Sequence, residues 1–471
     1  MKKKAILICI GIIAVCFLYT GSAYMSQSFR LMAFYSERTV DIITSVFNYL
    51  LQGIGILLFS VGLNKLPDLF GKRKFFIYLL ITGALFMCLS QLSNSGLVVQ
   101  IAGYIFNLHI GVYFGYYLAM LSKNISPKIS GTCFGIAYAV ASVGTYVMSR
   151  LHGGDFLLAK EITALYLILT SLTIALAYMS TDLTSGDTES DESPTTPDNA
   201  AEPREALEKS GFISISSALK EKDLQLAYLM AITAIITIIF SVGSGLYYSL
   251  PVSADVDWNL IRAFYAAGLI LAGWIMDRNR FVGEILSIAT LTYPLIMLTL
   301  VGDGVTNTVA LGLSYVVRGF ITIYYITAFT DFGWNKNSHL PLAPLGLMVS
   351  RFAEAAIAVP LMFFPSSEIA WLVLAAALFI PLLILFVMMQ SKKYAPEPMS
   401  EGKRFALYSE QFDLTAREME ILKCLSEGLS DSEIAERLFI SKNTVRFHIS
   451  NLLKKTGAAS RIEVVQSLEK F

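Results

Sequence analysis

The chain is short of charge. Of its 471 residues only 15% are Asp, Glu, Lys or Arg, and 36 basic residues cancel 36 acidic ones. The overall balance therefore selects no nucleic acid, membrane surface or acidic partner, and only local clusters of charge can do so. Cysteine is scarce as well. Cys9, Cys16, Cys88 and Cys133 fall in or beside apolar segments and Cys424 lies in a polar tail, with no C-x-x-C pair and no ligand spacing. This excludes a disulfide or metal framework and leaves core thiols. Also missing are a phosphate-binding glycine loop, an H-E-x-x-H helix, a nucleophile elbow and a kinase signature, so no catalytic residue, cofactor or metal is expected.

What is abundant is hydrophobic sequence, 55% of the chain, which places it among polytopic membrane proteins. Runs long enough to cross a bilayer occur at about 5–24, 41–62, 75–93, 96–120, 131–150 and 161–180. Six more follow at about 224–247, 258–276, 282–301, 308–330, 341–364 and 368–390. The first run follows Lys2, Lys3 and Lys4 and resembles a secretory signal, but an uncleaved span completes the six-plus-six count. Between the sets lies an acidic stretch rich in Pro, Ser and Thr that cannot bury enough surface to fold alone. The expected units are thus membrane bundles at 1–181 and 223–392 and a linker at 182–222, then a second linker at 393–410 and a soluble domain at 411–471.

Orientation follows from the short connections. With the N-terminus inside, the cytoplasmic face holds Lys2, Lys3, Lys4, Lys65, Lys72, Arg73, Lys74, Lys123, Lys128, Arg278, Arg280, Lys336, Lys392 and Lys393. The outer face holds Arg30, Arg38, Arg150 and Lys160. Twelve crossings return the C-terminus to the cytoplasm, so both termini are expected inside the inner membrane of a bacterial cell.

The polar tail reads as four short helices at about 415–426, 430–438, 441–455 and 460–470. Thr415/Glu418, Ser430/Glu433 and Ser460/Glu463 have capping-box spacing, and Ser441 can cap the third helix alone. Gly428 and Gly457 sit where helices one and three should end. Met419, Leu422, Leu425, Ile434, Leu438, Val445, Ile449, Leu452, Ile462 and Val465 recur at helical spacing and can close one core. Helices two and three, joined at Phe439-Ile440, make a helix-turn-helix. From Arg437 to Arg461 the chain carries Arg437, Lys442, Arg446, Lys454, Lys455 and Arg461 with no carboxylate, which gives the domain the basic face that phosphate neutralisation needs.

These residues resemble a known family. Leu414-Thr415-x-Arg417-Glu418, Gly428-Leu429-Ser430, Glu433-Ile434-Ala435, Leu438-x-Ile440-Ser441-x-x-Thr444-Val445-Arg446-x-His448 and Asn451 look like the LuxR-type DNA-binding domain of bacterial transcription regulators. The resemblance implies base-edge contacts from Arg446, Phe447 and Ser450, and a homodimer interface on the last helix. Phe447 and Ser450 depart from the basic or small aliphatic residues often found there. Arg446 can fork onto a guanine and Phe447 meet a thymine methyl. Ser441, Lys442, Thr444, Lys454 and Lys455 are candidates for phosphate contacts, which position without specifying. His448 reads as a packed or phosphate-facing helix residue.

The membrane part carries its own resemblance. Asp68-x-x-Gly71-Lys72-Arg73-Lys74 follows span two, and Gly273-x-x-x-Asp277-Arg278-x-Arg280 follows span eight. Both resemble the loop motif of the major facilitator superfamily, each in degenerate form. The expected fold class is therefore all-α: a transporter-like bundle of six plus six spans, followed by a four-helix LuxR-type domain.

Ionisable residues inside spans are costly and face cavities or one another. Arg262, Arg318, Arg351 and Glu354 are of this kind, and the i,i+3 spacing of Arg351 and Glu354 fits a structural ion pair as well as a binding role. In the resembled superfamily spans one, four, seven and ten line the cavity. Here those spans supply Tyr19, Asn107, His109, Tyr113, Tyr116, Tyr117, Tyr247, Tyr248, Tyr315, Arg318, Tyr324 and Tyr325. The candidate ligand residues are Asn107, His109, Tyr113, Arg318, Arg351 and Glu354, for a small aromatic or anionic molecule. The function expected is a membrane-bound one-component transcription regulator that senses such a molecule, binds promoter double-stranded DNA and can meet RNA polymerase. A secondary transporter with a regulatory tail is the alternative.

Overall fold

The computed structural model describes residues 2–151, 160–184, 225–248, 256–257, 260–297, 304–335, 337–364, 368–393 and 401–470. The expected linker 182–222 lies outside them except for its first three residues, as do Pro396 and Pro398. Every regular element among the described residues is helical. The chain divides into two compact units, Met1–Met389 and Gln390–Phe471.

The first unit begins with α1 (Lys2–Met32) and α2 (Glu37–Ile42), which runs through the π-helical stretch Ile43–Asn48 into α3 (Tyr49–Lys65). The short α4 (Pro67–Phe70), then α5 (Arg73–Leu92), α6 (Gly96–Asn124), α7 (Ser130–Leu151) and α8 (Lys160–Met179) complete the first set. The second set is α9 (Gln225–Tyr248), α10 (Ile261–Arg278), α11 (Arg280–Ala289), α12 (Tyr293–Ile296), α13 (Gly304–Asn335), α14 (Leu345–Phe363) and α15 (Glu368–Lys393).

Among the described residues ten helices are long and apolar enough to cross a bilayer. The other two expected crossings are present in altered form. Span eight is α10, whose 18 residues include Arg262, Asp277 and Arg278, enough charge to depress its hydropathy. Span nine is broken: α11 passes through a 3-10 turn at Thr290–Thr292 into α12. Pro294, in the first turn of α12, cannot donate the backbone bond that would continue a single helix.

Apolar side chains cover both faces of this unit. Ile369, Val373, Ile380 and Val387 on α15 and Leu85 and Ile168 elsewhere are exposed, as a lipid-facing surface requires because lipid is as apolar as the core. The helices approach most closely at small residues. A Cβ on Gly55 would strike the backbone of Leu108 and Gly111, and one on Gly273 the backbone of Gly131. The first pair joins α3 to α6. The second joins α10 to α7, and so one half to the other.

The second unit opens with α16 (Glu401–Gln411), where a linker over 393–410 was expected. Phe405 and Tyr408 are buried in the tail core, Tyr408 and Ser467 share a hydrogen bond between their hydroxyls, and the rings of Tyr408 and Phe412 lie 4.7 Å apart. Residues 401–411 therefore belong to the domain. Then come α17 (Ala416–Ser426), α18 (Asp431–Arg437), α19 (Lys442–Thr456) and α20 (Arg461–Lys470). Of the three expected capping boxes, those at Thr415/Glu418 and Ser430/Glu433 form, while Ser460 accepts from the Glu463 amide but the Glu463 carboxylate accepts from the Ala459 amide instead of that of Ser460. Gly428 and Gly457 adopt φ of 79° and 72°, the left-handed geometry that glycine accepts without strain. Ile462 does not join the core; it is 65% exposed, while Val464 and Leu468 are buried in its place.

Candidate nucleic-acid interface and central cavity

The recognition helix α19 is positioned by apolar contacts on one face and released on the other. Val445, Ile449 and Leu452 are buried, which turns the residues between them outward. Lys442, Arg446, Phe447, Ser450 and Lys454 are exposed, Phe447 by 62%. Ser441 caps the helix, its hydroxyl accepting from the Thr444 amide at 3.1 Å and lying 2.8 Å from the Thr444 hydroxyl, so both side chains are committed to the first turn. His448 is half-buried with its ring 5.7 Å from that of Phe447.

Two basic residues have internal partners that sequence spacing concealed. Lys455 donates to the buried Glu418 carboxylate at 2.8 Å and to the Asp413 carbonyl at 2.6 Å. Its ammonium holds α17 against α19. Arg446 donates through Nε to Asp431 at 3.2 Å, and Arg461 donates to the other oxygen of the same carboxylate at 2.5 Å. Burial works against ionisation of Asp431, but the hydrogen bonds from Arg461 and Arg446 prevail and hold its carboxyl below the usual range. Arg417, in the family motif, donates to the Leu438 carbonyl at 2.8 Å and ties α17 to the turn before α19.

In the first unit a cavity of about 580 Å³ is lined from both halves. Phe17, Tyr24, Phe29, Tyr49, Phe114, Tyr138, Tyr265 and Tyr315 supply rings, and Arg262, Arg318 and Arg351 supply charge. Arg318 finds a partner that its sequence neighbourhood did not offer. Glu354 accepts from Arg318 at 2.8 Å through one oxygen and from Arg351 at 2.7 Å through the other. The Arg351 guanidinium lies 4.7 Å from the centroid of Tyr49, and that of Arg318 lies 5.5 Å from Phe240 and 5.9 Å from Tyr315. Phe17 and Tyr138 stack with centroids 3.9 Å apart.

These two sites agree with what the chain is similar to. Residues 4–338 match the family model of the Major Facilitator Superfamily, and residues 413–468 match that of bacterial regulatory proteins of the luxR family. The chain belongs to the Major Facilitator Superfamily.

The membrane unit of this superfamily member is similar to an outward-facing crystal structure of the transporter FucP. The likeness has a TM-score of 0.52 and 14% identity and covers 81% of this chain and 98% of that one. A structure of the nucleoside transporter NupG matches with a TM-score of 0.52 at 11% identity, over 82% and 99% of the two chains. At such identities the likeness is one of fold. The C-terminal unit is a LuxR-type helix-turn-helix domain. Over 79 residues it is 42% identical to the transcriptional regulatory protein DesR of Bacillus subtilis, covering 17% of this chain and 37% of that protein. It is 52% identical over 52 residues to the CsgBAC operon transcriptional regulatory protein of Escherichia coli, covering 11% and 24%. The chain thus spans less than two fifths of the length of these curated relatives.

The loop motifs of this superfamily chain take different parts. After α3, Gly71 accepts from the Leu183 amide at 2.8 Å, and Arg73 donates its amide to Asp182 at 3.0 Å, so the first copy closes on its own half. In the last turn of α10, Asp277 accepts from the amides of Gly131 and Thr132 at 2.9 and 2.6 Å. These are orphan donors at the start of α7, where a carboxylate is favoured. Arg280 adds Asp331 at 3.0 Å and the Pro127 carbonyl at 2.7 Å. The second copy therefore joins the halves.

Several expected cavity residues sit elsewhere. Asn107 lies in a buried amide network, accepting from Gln52 at 2.8 Å and donating to Gln27 at 3.2 Å. His109 lies 3.1 Å from the Thr82 hydroxyl, and Tyr113 donates to the Leu79 carbonyl at 2.8 Å. The last two are turned toward α5, so none of the three lines the cavity. The side chains of Tyr247 and Tyr248 lie outside the described residues. Tyr24, Tyr49, Tyr138 and Tyr265 line it from α1, α3, α7 and α10, positions that sequence reasoning missed.

Proposed function

We propose that this chain is a membrane-bound one-component transcription regulator. Its transporter-like unit senses a small molecule in the central cavity, and the LuxR-type unit binds promoter double-stranded DNA in response. The observation that carries this reading is the exposed face of α19, where Lys442, Arg446, Phe447, Ser450 and Lys454 stand free of the core on the same polypeptide as the charged cavity. Arg446 reads base edges with Phe447 and Ser450, and Lys442 and Lys454 neutralise phosphate. Ser441 and Thr444 reach the backbone only through groups left over from capping, and Lys455 acts by fixing α17 and α19.

The regulator pairs on DNA through α20, a reading supported by the exposed Ile462, and meets RNA polymerase there. The membrane halves are 1–181 and 223–392, joined by the linker 182–222, and the domain begins near 401. The protein resides in the bacterial inner membrane with both termini in the cytoplasm. It is no enzyme and needs no cofactor. Control of DNA binding requires that the ligand favour one arrangement of the chain over another.

Genomic DNA bound by the intact protein is mapped with and without candidate metabolites, with Arg446→Ala as control. Discrete sites that depend on a metabolite and vanish in the variant are expected. Uniform or absent occupancy would remove the reading.

The alternative is a secondary transporter with a regulatory tail, favoured by the half-to-half junction at Asp277 and Arg280 and by the fold shared with the transporters FucP and NupG. Uptake into vesicles that survives deletion of 396–471 is its test.

A further inference from the structure

Glu354 is one carboxylate shared by two guanidiniums. Its two oxygens lie 2.8 Å from Arg318 and 2.7 Å from Arg351. One negative charge against two positive leaves one positive charge over in this trio, and no Asp or Glu stands among the described lining residues of the cavity. Uncompensated positive charge at membrane depth is expensive and marks a place where an anion binds. The buried Arg351 Nε atom has no hydrogen-bond partner among the described residues.

The rest of the cavity says what the anion is attached to. Ring side chains from α1, α3, α6, α7, α10 and α13 make up its walls, and such walls stack on flat apolar bodies. The volume of about 580 Å³ lies within the range for a small organic molecule.

We propose that the cavity takes an aromatic carboxylate whose carboxylate group replaces Glu354 at Arg318. Glu354 is the template: the two guanidiniums already hold a planar carboxylate, and the arginine fork suits that shape. Arg351 shares α14 with Glu354 at i,i+3 and moves with it, whereas Arg318 comes from α13. Arg318 is also the more accessible, with 27% of its side chain exposed against 13% for Arg351. Exchange at Arg318 therefore unfastens α13 from α14, and ligand occupancy becomes a change in how two spans are joined. This rests on the cavity being the ligand chamber of the proposed regulator.

The test uses the purified full chain in nanodiscs, with phenylacetate as probe and phenylacetamide, acetate and phenyl phosphate beside it. Saturable binding of phenylacetate is expected, with no binding of the isosteric amide and weaker binding of acetate. Arg318→Gln should lose at least about tenfold in affinity for the acid. Glu354→Gln, by removing the internal competitor, should gain about tenfold for the acid and nothing for the amide. Should Glu354→Gln fail to fold, Glu354→Asp, whose shorter arm cannot hold both guanidiniums, should shift affinity in the same direction.

Equal binding of acid and amide, tighter binding of phenyl phosphate, or no binding of the acid at millimolar concentration overturns the proposal. So does a folded Glu354 variant that binds the acid no more tightly, which would make Glu354 a structural tie. Promoter occupancy is followed in parallel. Acid binding without a change in occupancy supports the ligand class and removes the sensor reading instead.

Discussion

Asp431 accepts the Nε–H of Arg446 at 3.2 Å, which uses the one N–H that a guanine fork does not need. The arginine is braced and its two Nη groups stay free of that carboxylate. Arg446→Ala should cost about 1–3 kcal/mol of discrimination at one base position. Asp431→Asn should lose part of that discrimination with the salt dependence unchanged. Lys442→Ala should instead weaken all sequences alike and lower the salt slope by about 1. Anisotropy titrations of single-base promoter variants with the intact protein separate these outcomes. A uniform loss in Arg446→Ala would make it a phosphate contact.

The Glu418–Lys455 pair sets an acid limit on the C-terminal domain. Burial raises the Glu418 carboxyl, but hydrogen bonds from Lys455 and from the Thr415 amide and hydroxyl outweigh it and leave it below its ordinary value of 4.5. A carboxyl depressed by folding contributes stability above its unfolded value and loses it as pH falls through the folded one. Local stability of α17 and α19 should therefore be constant at neutral pH and decline below about pH 4.5. Lys455→Met should cost about 1–2 kcal/mol at pH 7, since the buried carboxylate keeps only its other partners, and should flatten the decline. Hydrogen exchange of the α17 and α19 amides in the intact protein measures both.

Legibility in the sequence followed the range of the interaction. The helices of the C-terminal domain lie within a residue or two of expectation because Thr415, Ser430, Ser441, Gly428 and Gly457 act on their own turns. Charged residues in spans were legible as costly, but their partners were not: Arg318 meets Glu354 from 36 residues away. Asn107, His109 and Tyr113 were placed by span number alone. An apolar helix such as α6 carries no stripe in its sequence to say which face turns to the cavity and which to α5. The break in span nine was hidden for a related reason, since composition marks the crossing but not the interruption near Pro294. At α16 a linker over 393–410 was expected, although Phe405, Tyr408 and Phe412 repeat at i, i+3 and i+7 and were the available signal.

Asp277 is 8% exposed and takes the first amides of α7. Asp277→Ala should cost about 1–3 kcal/mol, because orphan donors at a buried helix start lose a charged acceptor. Gly273→Val should act at the same seam by overpacking, for about 1–3 kcal/mol, because any side chain there meets the Gly131 backbone. Thermal unfolding in detergent reports both, and the double variant should fall short of the sum because the sites share α7 and α10. Full additivity would mean that the seam does not act as one contact.

The boundary of the C-terminal domain gives the last prediction. Phe405 and Tyr408 are 5% and 0% exposed, and Tyr408 reaches Ser467 on α20, so α16 closes the core against the helix expected to pair on DNA. Removing a buried aromatic ring costs about 3–5 kcal/mol, a large share of what a domain this small possesses. Tyr408→Ala should therefore expose α20 to rapid hydrogen exchange in the intact protein while leaving the spans protected. A fragment of 401–471 should unfold cooperatively, and one of 411–471 should melt far lower or not fold. Indistinguishable melting of the two fragments would return residues 401–411 to the linker. It would also leave the helix at 401–411 without a role in holding the domain together.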